Sequence, residues 1–127
     1  MHYLFNLTET KMTNEELQQA IITVMVFDGW FSRKSDTGII YWSKEGQPIT
    51  SETQLVEDTC YHTSWRLLHP IWEKFRDMLD EIMKMDLSVW LEYCRHRARV
   101  STQISFGTPL EAFTALHSAI VWFNEIK

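Results

Sequence analysis

The segment from Trp65 to Ile82 constrains the fold more than any other part of the chain. Trp65, Leu68, Ile71, Trp72, Phe75, Met78, Leu79 and Ile82 recur at spacings of three and four, while Glu73, Lys74, Arg76, Asp77, Asp80 and Glu81 take the opposite face. Side chains three and four apart lie on one face of an α-helix, so this stretch predicts an amphipathic helix whose stripe must be buried against another element. Thr63 or Ser64 can cap it. Pro70 brings no amide donor, so it kinks the helix or opens it after a short capped turn.

Two further helices are bounded by their caps. Thr13 followed by Glu16 is a capping box, and Leu17, Ala20, Ile21, Val24 and Met25 carry a helix over 14–27 that stops at Gly29. Thr108, Pro109 and Glu111 form a second capping box with proline at the first helical position, and Phe113, Leu116, Ile120 and Phe123 line the inner face of that helix. Residues 1–11 precede the first cap as an N-terminal extension, which leaves 12–127 as the domain.

The intervening segments read as strands. Gly38 to Ser43 is a β-branched and aromatic run, Lys44 to Gln47 has turn chemistry, and Pro48-Ile49-Thr50 fits a weak edge strand, with a loop over 51–60. Ser88 to Cys94 alternates, as does Ala98 to Phe106, and Arg95-His96-Arg97 would join them as a hairpin without an Asn-Gly type of signal. The expected architecture is α+β: helix, β-hairpin, helix, β-hairpin, helix, with an antiparallel four-stranded sheet covered by helices in a layered sandwich.

Composition excludes several classes. The chain has 127 residues, one domain's worth, with few glycines and prolines. Its net charge of −5 argues against non-specific nucleic-acid binding, and the acidity is concentrated in the first sixty residues. No stretch approaches the roughly 20 apolar residues that span a bilayer, and the start lacks a basic segment followed by an apolar core, so no membrane association or secretion is expected. Two cysteines, Cys60 and Cys94, are too few for a disulfide framework and fit reduced thiols in the cytoplasm.

Chemistry-bearing groups are sparse. Cys60 and His62, with Cys94 and His96, could form a tetrahedral zinc site, but the spacing is not that of structural zinc sites, and small core cysteines with surface histidines is the preferred reading. Ser64, His69 and Asp77 assemble a triad only on paper, since no nucleophile elbow or glycine-rich phosphate loop accompanies them. No catalytic residue, metal site or cofactor is expected. Arg95, Arg97 and Arg99 would share one face of an extended segment and, with Trp90 and Tyr93, could hold a phosphate or a base. A solvated hairpin end is the preferred reading of that cluster, because the net charge opposes a nucleic-acid role. Most of the six tryptophans fall on packing faces, whereas Trp30 and Trp42 lie near chain reversals and are candidates for an exposed aromatic patch. The function expected is protein binding or self-association by a small accessory module.

At Tyr61-His62-Thr63-Ser64-Trp65, then Leu68-His69-Pro70-Ile71 and Glu73-Lys74, the sequence resembles small proteins of gut Bacteroides-type bacteria and their prophages, which are similar to the phage α-β-α sandwich domain family. The likeness extends thinly to Met12-Thr13-Asn14-Glu15-Glu16-Leu17, to Gly29-Trp30 and to the stretch from Ala119 to Glu125. Arg66 departs from the acidic residue often found there, and residues 1–11 have no counterpart. The resemblance implies a layered α/β domain in a phage or mobile-element setting and supplies no catalytic residues.

Overall fold

A computed structural model of the chain describes residues 12–44, 50–51 and 59–127. Helix α1 (Asn14–Phe27) starts at the expected capping box: Glu16 N donates to Thr13 Oγ1 at 3.1 Å, and Thr13 N donates to Glu16 Oε1 at 3.3 Å. It ends at Gly29, whose φ of +102° lies in the left-handed region that a Cβ disfavours.

Three strands follow as an antiparallel meander, β1 (Phe31–Lys34), β2 (Ile40–Ser43) and β3 (Thr50–Ser51), in the order β1-β2-β3. The β1–β2 turn is closed by Ser35, whose backbone pairs with Ile39 and whose hydroxyl accepts from Ile39 N at 3.1 Å, and by Gly38 at φ +86°. Of the side chains described in β1 and β2, Trp42 alone is buried; it faces Ser32 across the ladder and joins the core.

Helix α2 (Trp65–Arg76) is capped by Ser64 and stops at Asp77–Met78, and a short helix α3 (Leu79–Met83) follows directly. The predicted stripe is present across both: Leu68, Ile71, Trp72, Phe75, Met78 and Ile82 are buried, while Trp65 is exposed. Pro70 lies inside α2. Helix α4 (Leu87–Phe106) then runs for 20 residues, turns at Gly107, and passes into α5 (Pro109–Ile126) through the second capping box. Gly107 accommodates that corner because a Cβ there would stand 2.9 Å from the Gln103 carbonyl oxygen.

The four-stranded sheet and its covering layers do not form. The stretch expected to be the second hairpin, 88–106, is one continuous helix. Its alternating pattern is also compatible with a helical stripe: Tyr93 and Val100 are buried, seven residues apart, with Val89 and Ile104 half-buried one turn beyond each. With no turn residues to reverse the chain, the helix pairs its interior backbone amides locally. In the first hairpin, β2 falls within the expected strand, β1 is an additional strand, and β3 starts at Thr50; Pro48 and Ile49 lie outside the described residues, as do residues 1–11 and 52–58.

The result is a helical body with a small sheet. Helix α5 packs against α4, α1 and α2, and buries Ala112, Phe113, Ala115, Leu116, Ala119 and Ile120. Its three buried alanines allow neighbouring helices to approach closely. No helix among the described residues is long and apolar enough to cross a membrane.

Candidate functional site

The helical state of 87–106 redistributes the residues expected to act together. On a strand Arg95, Arg97 and Arg99 would share a face; on α4 a step of two residues turns by about 200°, so Arg97 points away from Arg95 and Arg99. Arg95 pairs with Glu92 at 2.5 Å. Tyr93 is a core residue: its hydroxyl donates to the carbonyls of Phe75 (2.7 Å) and Arg76 (2.8 Å), which ties α4 to the end of α2. Burial pushes this hydroxyl up to about 12. Trp90 is half-buried and stacks on Tyr93, with ring centroids 6.3 Å apart.

Trp30 and Trp42 do not form an exposed patch. Trp42 is buried, and its Nε1 meets no hydrogen-bond partner among the described residues. Trp30 is half-buried, with the Lys44 ammonium 6.0 Å from its ring centroid. Lys44 Nζ also lies 3.0 Å from Asp28 Oδ2, and the same oxygen accepts the Tyr61 hydroxyl at 3.1 Å. Burial and the Asp28 carboxylate both hold the Tyr61 hydroxyl above its ordinary value. This junction joins the C-terminus of α1, the exit of β2 and the approach to α2; its groups are satisfied by one another.

The four residues weighed as a zinc set do not converge: Cys94 lines a cleft between α2 and α4, and the two histidines pack at separate points along α5. His62 packs edge-on to Phe113, with centroids 6.1 Å apart, and His96 lies over Trp122 at 5.0 Å. Those two anchors are nine residues apart on one helix, roughly 13.5 Å at 1.5 Å per residue. No group of three or more His, Cys, Asp or Glu side chains placed to hold a metal occurs among the described residues. Burial lowers the basicity of His62, His96 and His117, and Arg99 and Arg95 add to the effect at His96 against an opposing pull from Glu92. The paper triad is likewise dispersed: Ser64 caps α2, His69 Nδ1 pairs with Glu73 Oε1 at 3.1 Å, and Asp77 pairs with Arg76 at 3.1 Å.

Two features that the strand reading concealed stand out. A cleft of about 340 Å³ between α2 and α4 is lined by Trp72, Arg76, Cys94, Arg97, Ala98 and Ser101. Positions 94, 97, 98 and 101 have helical spacing, as do 72 and 76, so this lining was available once 87–106 was read as a helix. The second is an apolar ridge in which Met83 (60%), Met85 (41%), Leu87 (70%) and Leu91 (55%) are exposed in one stretch from the end of α3 into α4. Its sequence signal is a cluster of large apolar residues left over once the α2 stripe ends at Ile82.

No protein-family model, curated protein or solved structure matches the chain.

Proposed function

We propose that the chain is a small accessory protein that acts by binding another protein through the ridge formed by Met83, Met85, Leu87 and Leu91. The exposure of these four side chains carries the reading. Leu87 and Leu91 stand one turn apart on α4 and present a continuous apolar edge. The two methionines add flexible side chains that adapt to a partner's shape. Lys84 and Asp86, both exposed, interleave with the ridge and form the polar rim expected around such a contact. The complementary shape is the apolar face of an amphipathic helix. A phage or prophage setting goes with this reading and is supported by the Tyr61–Lys74 resemblance; a cytoplasmic location goes with it too and rests on the cysteine count.

A photo-crosslinking residue at position 87, with the same residue at position 36 as reference, tests the proposal in a lysate of the native host. Crosslinking to one defined protein from position 87 and not from position 36 is the expected result, and a second copy of the chain in that product identifies self-association. Equal labelling from both positions removes the reading.

A further inference from the structure

We propose that the cleft between α2 and α4 binds a small phosphomonoester, with Arg97 and Arg76 as the anion-holding residues. This proposal does not depend on the apolar ridge. The cleft has fixed walls: the Tyr93 hydroxyl holds the backbone of Phe75 and Arg76 against α4, so the base of the Arg76 side chain is set relative to Arg97. It stays open because its α4 side is built from small residues, Cys94, Ala98 and Ser101, at successive turns. Trp72 supplies a rigid apolar wall.

The charges point to an anion. Arg97 is half-buried and makes no ion pair with a described residue. Arg76 uses Nε on Asp77 Oδ1 at 3.1 Å, which leaves its two terminal nitrogens for another acceptor. Glu92, the carboxylate of α4, does not line the cleft and is engaged by Arg95. Two guanidiniums against the single carboxylate of Asp77 leave the cleft with an excess positive charge. Forked guanidinium donors match the oxygens of a phosphate, and the Ser101 hydroxyl on the same wall adds a further donor. At about 340 Å³ the cleft lies at the small end of ligand sites, with room for a phosphorylated sugar or a mononucleotide. A polynucleotide does not fit the same geometry: Arg99 is turned away from Arg97, and the whole chain carries −5.

Cys94 makes the site measurable, because a ligand in the cleft covers its thiol. The full-length protein is treated with iodoacetamide, and alkylation of Cys94 and Cys60 is followed by peptide mass spectrometry. Ribose 5-phosphate, AMP, inorganic phosphate and a short single-stranded oligonucleotide are added in parallel with ribose and adenosine. The expected result is that the phosphomonoesters slow Cys94 alkylation about threefold at twice their Kd, with Cys60 unchanged and the uncharged compounds without effect. Protection by inorganic phosphate alongside the phosphomonoesters places the contact at the anion seat, whereas protection by inorganic phosphate alone overturns the phosphomonoester assignment. Arg97→Gln and Arg76→Gln each remove the protection while the helical circular dichroism is retained, and Arg97→Lys, which keeps the charge without the fork, weakens it by less. The proposal is overturned if no phosphomonoester at millimolar concentration protects Cys94, if protection survives Arg97→Gln, or if an oligonucleotide protects and the small compounds do not.

Discussion

Phe113, in the second turn of α5, is wholly buried, with the rings of His62 and His117 packed against it and apolar residues from α1, α2 and α4 in the same cluster. Strands β1 and β2 leave every described side chain at least partly exposed except Trp42, and the neighbouring ties are the Lys44–Asp28 pair and the Tyr61 hydrogen bond. The helical body is therefore held by apolar burial distributed over several elements. Among the described side chains, the meander is held by one indole and a small polar junction. Distributed burial resists single substitutions only as far as the core can relax, whereas a single anchor makes its element separable from the rest.

The difference can be broken most directly in the body. Phe113→Ala is expected to lower stability by about 3–5 kcal/mol, read by urea denaturation, with helices and sheet lost together. Trp42→Ala should act locally instead: amide exchange over 31–34 and 40–43 rises sharply while α5 amides remain protected. Global unfolding of that variant would show the meander to be integral to the core. Tyr93→Phe removes the shared hydroxyl donor from the carbonyls of Phe75 and Arg76, of which Phe75 O keeps the Met78 amide at 3.3 Å, and is expected to cost about 1–3 kcal/mol, in a chain whose meander stays protected. Lys44→Ala removes a part-exposed pair and should cost under about 1 kcal/mol, with added salt reducing the effect further.

Titration sharpens the same contrast. Burial lowers His62, His96 and His117 below the ordinary 6.5, so the unfolded chain takes up protons that the folded chain refuses. Stability is complete above pH 6.5 and falls as pH drops through the lower folded values. All three rings lie on or against α5, so acid should loosen the helical body, measured as a falling urea midpoint with falling pH. At the alkaline end, Tyr93 is raised from 10.0 to about 12, and the stability tied to it is lost as pH rises across that interval.

The legible part of the fold is where local chemistry decides. Both capping boxes, the Ser64 cap and the stripe from Leu68 to Ile82 were readable because each rests on groups within a few residues. Helix α4 was not, because His96 and Arg97 sit in the middle of its buried side and interrupt the apolar spacing, while Thr102 and β-branched Val100 and Ile104 imitate a strand. Strand β1 carries no alternation because neither of its faces is covered. The site depends on the fold: a hairpin groups Arg97 with Arg95 and Arg99, whereas the helix sets it beside Arg76 and Ser101 across and along the cleft. Tyr93 and Trp42 were candidates for binding, and their hydroxyl and indole are instead used inside the molecule.

The place of α5 in the chain has a consequence for synthesis. It follows α1, α2 and α4 in sequence and packs against all three. On the ribosome those helices emerge with their apolar faces uncovered, and no partial arrangement of them has its central helix. The short corner at Gly107 shortens that interval, since α5 can fold back on α4 as soon as it is released, with little loop-closure entropy to overcome. Until then the nascent chain is a natural client for chaperones that hold exposed hydrophobic segments.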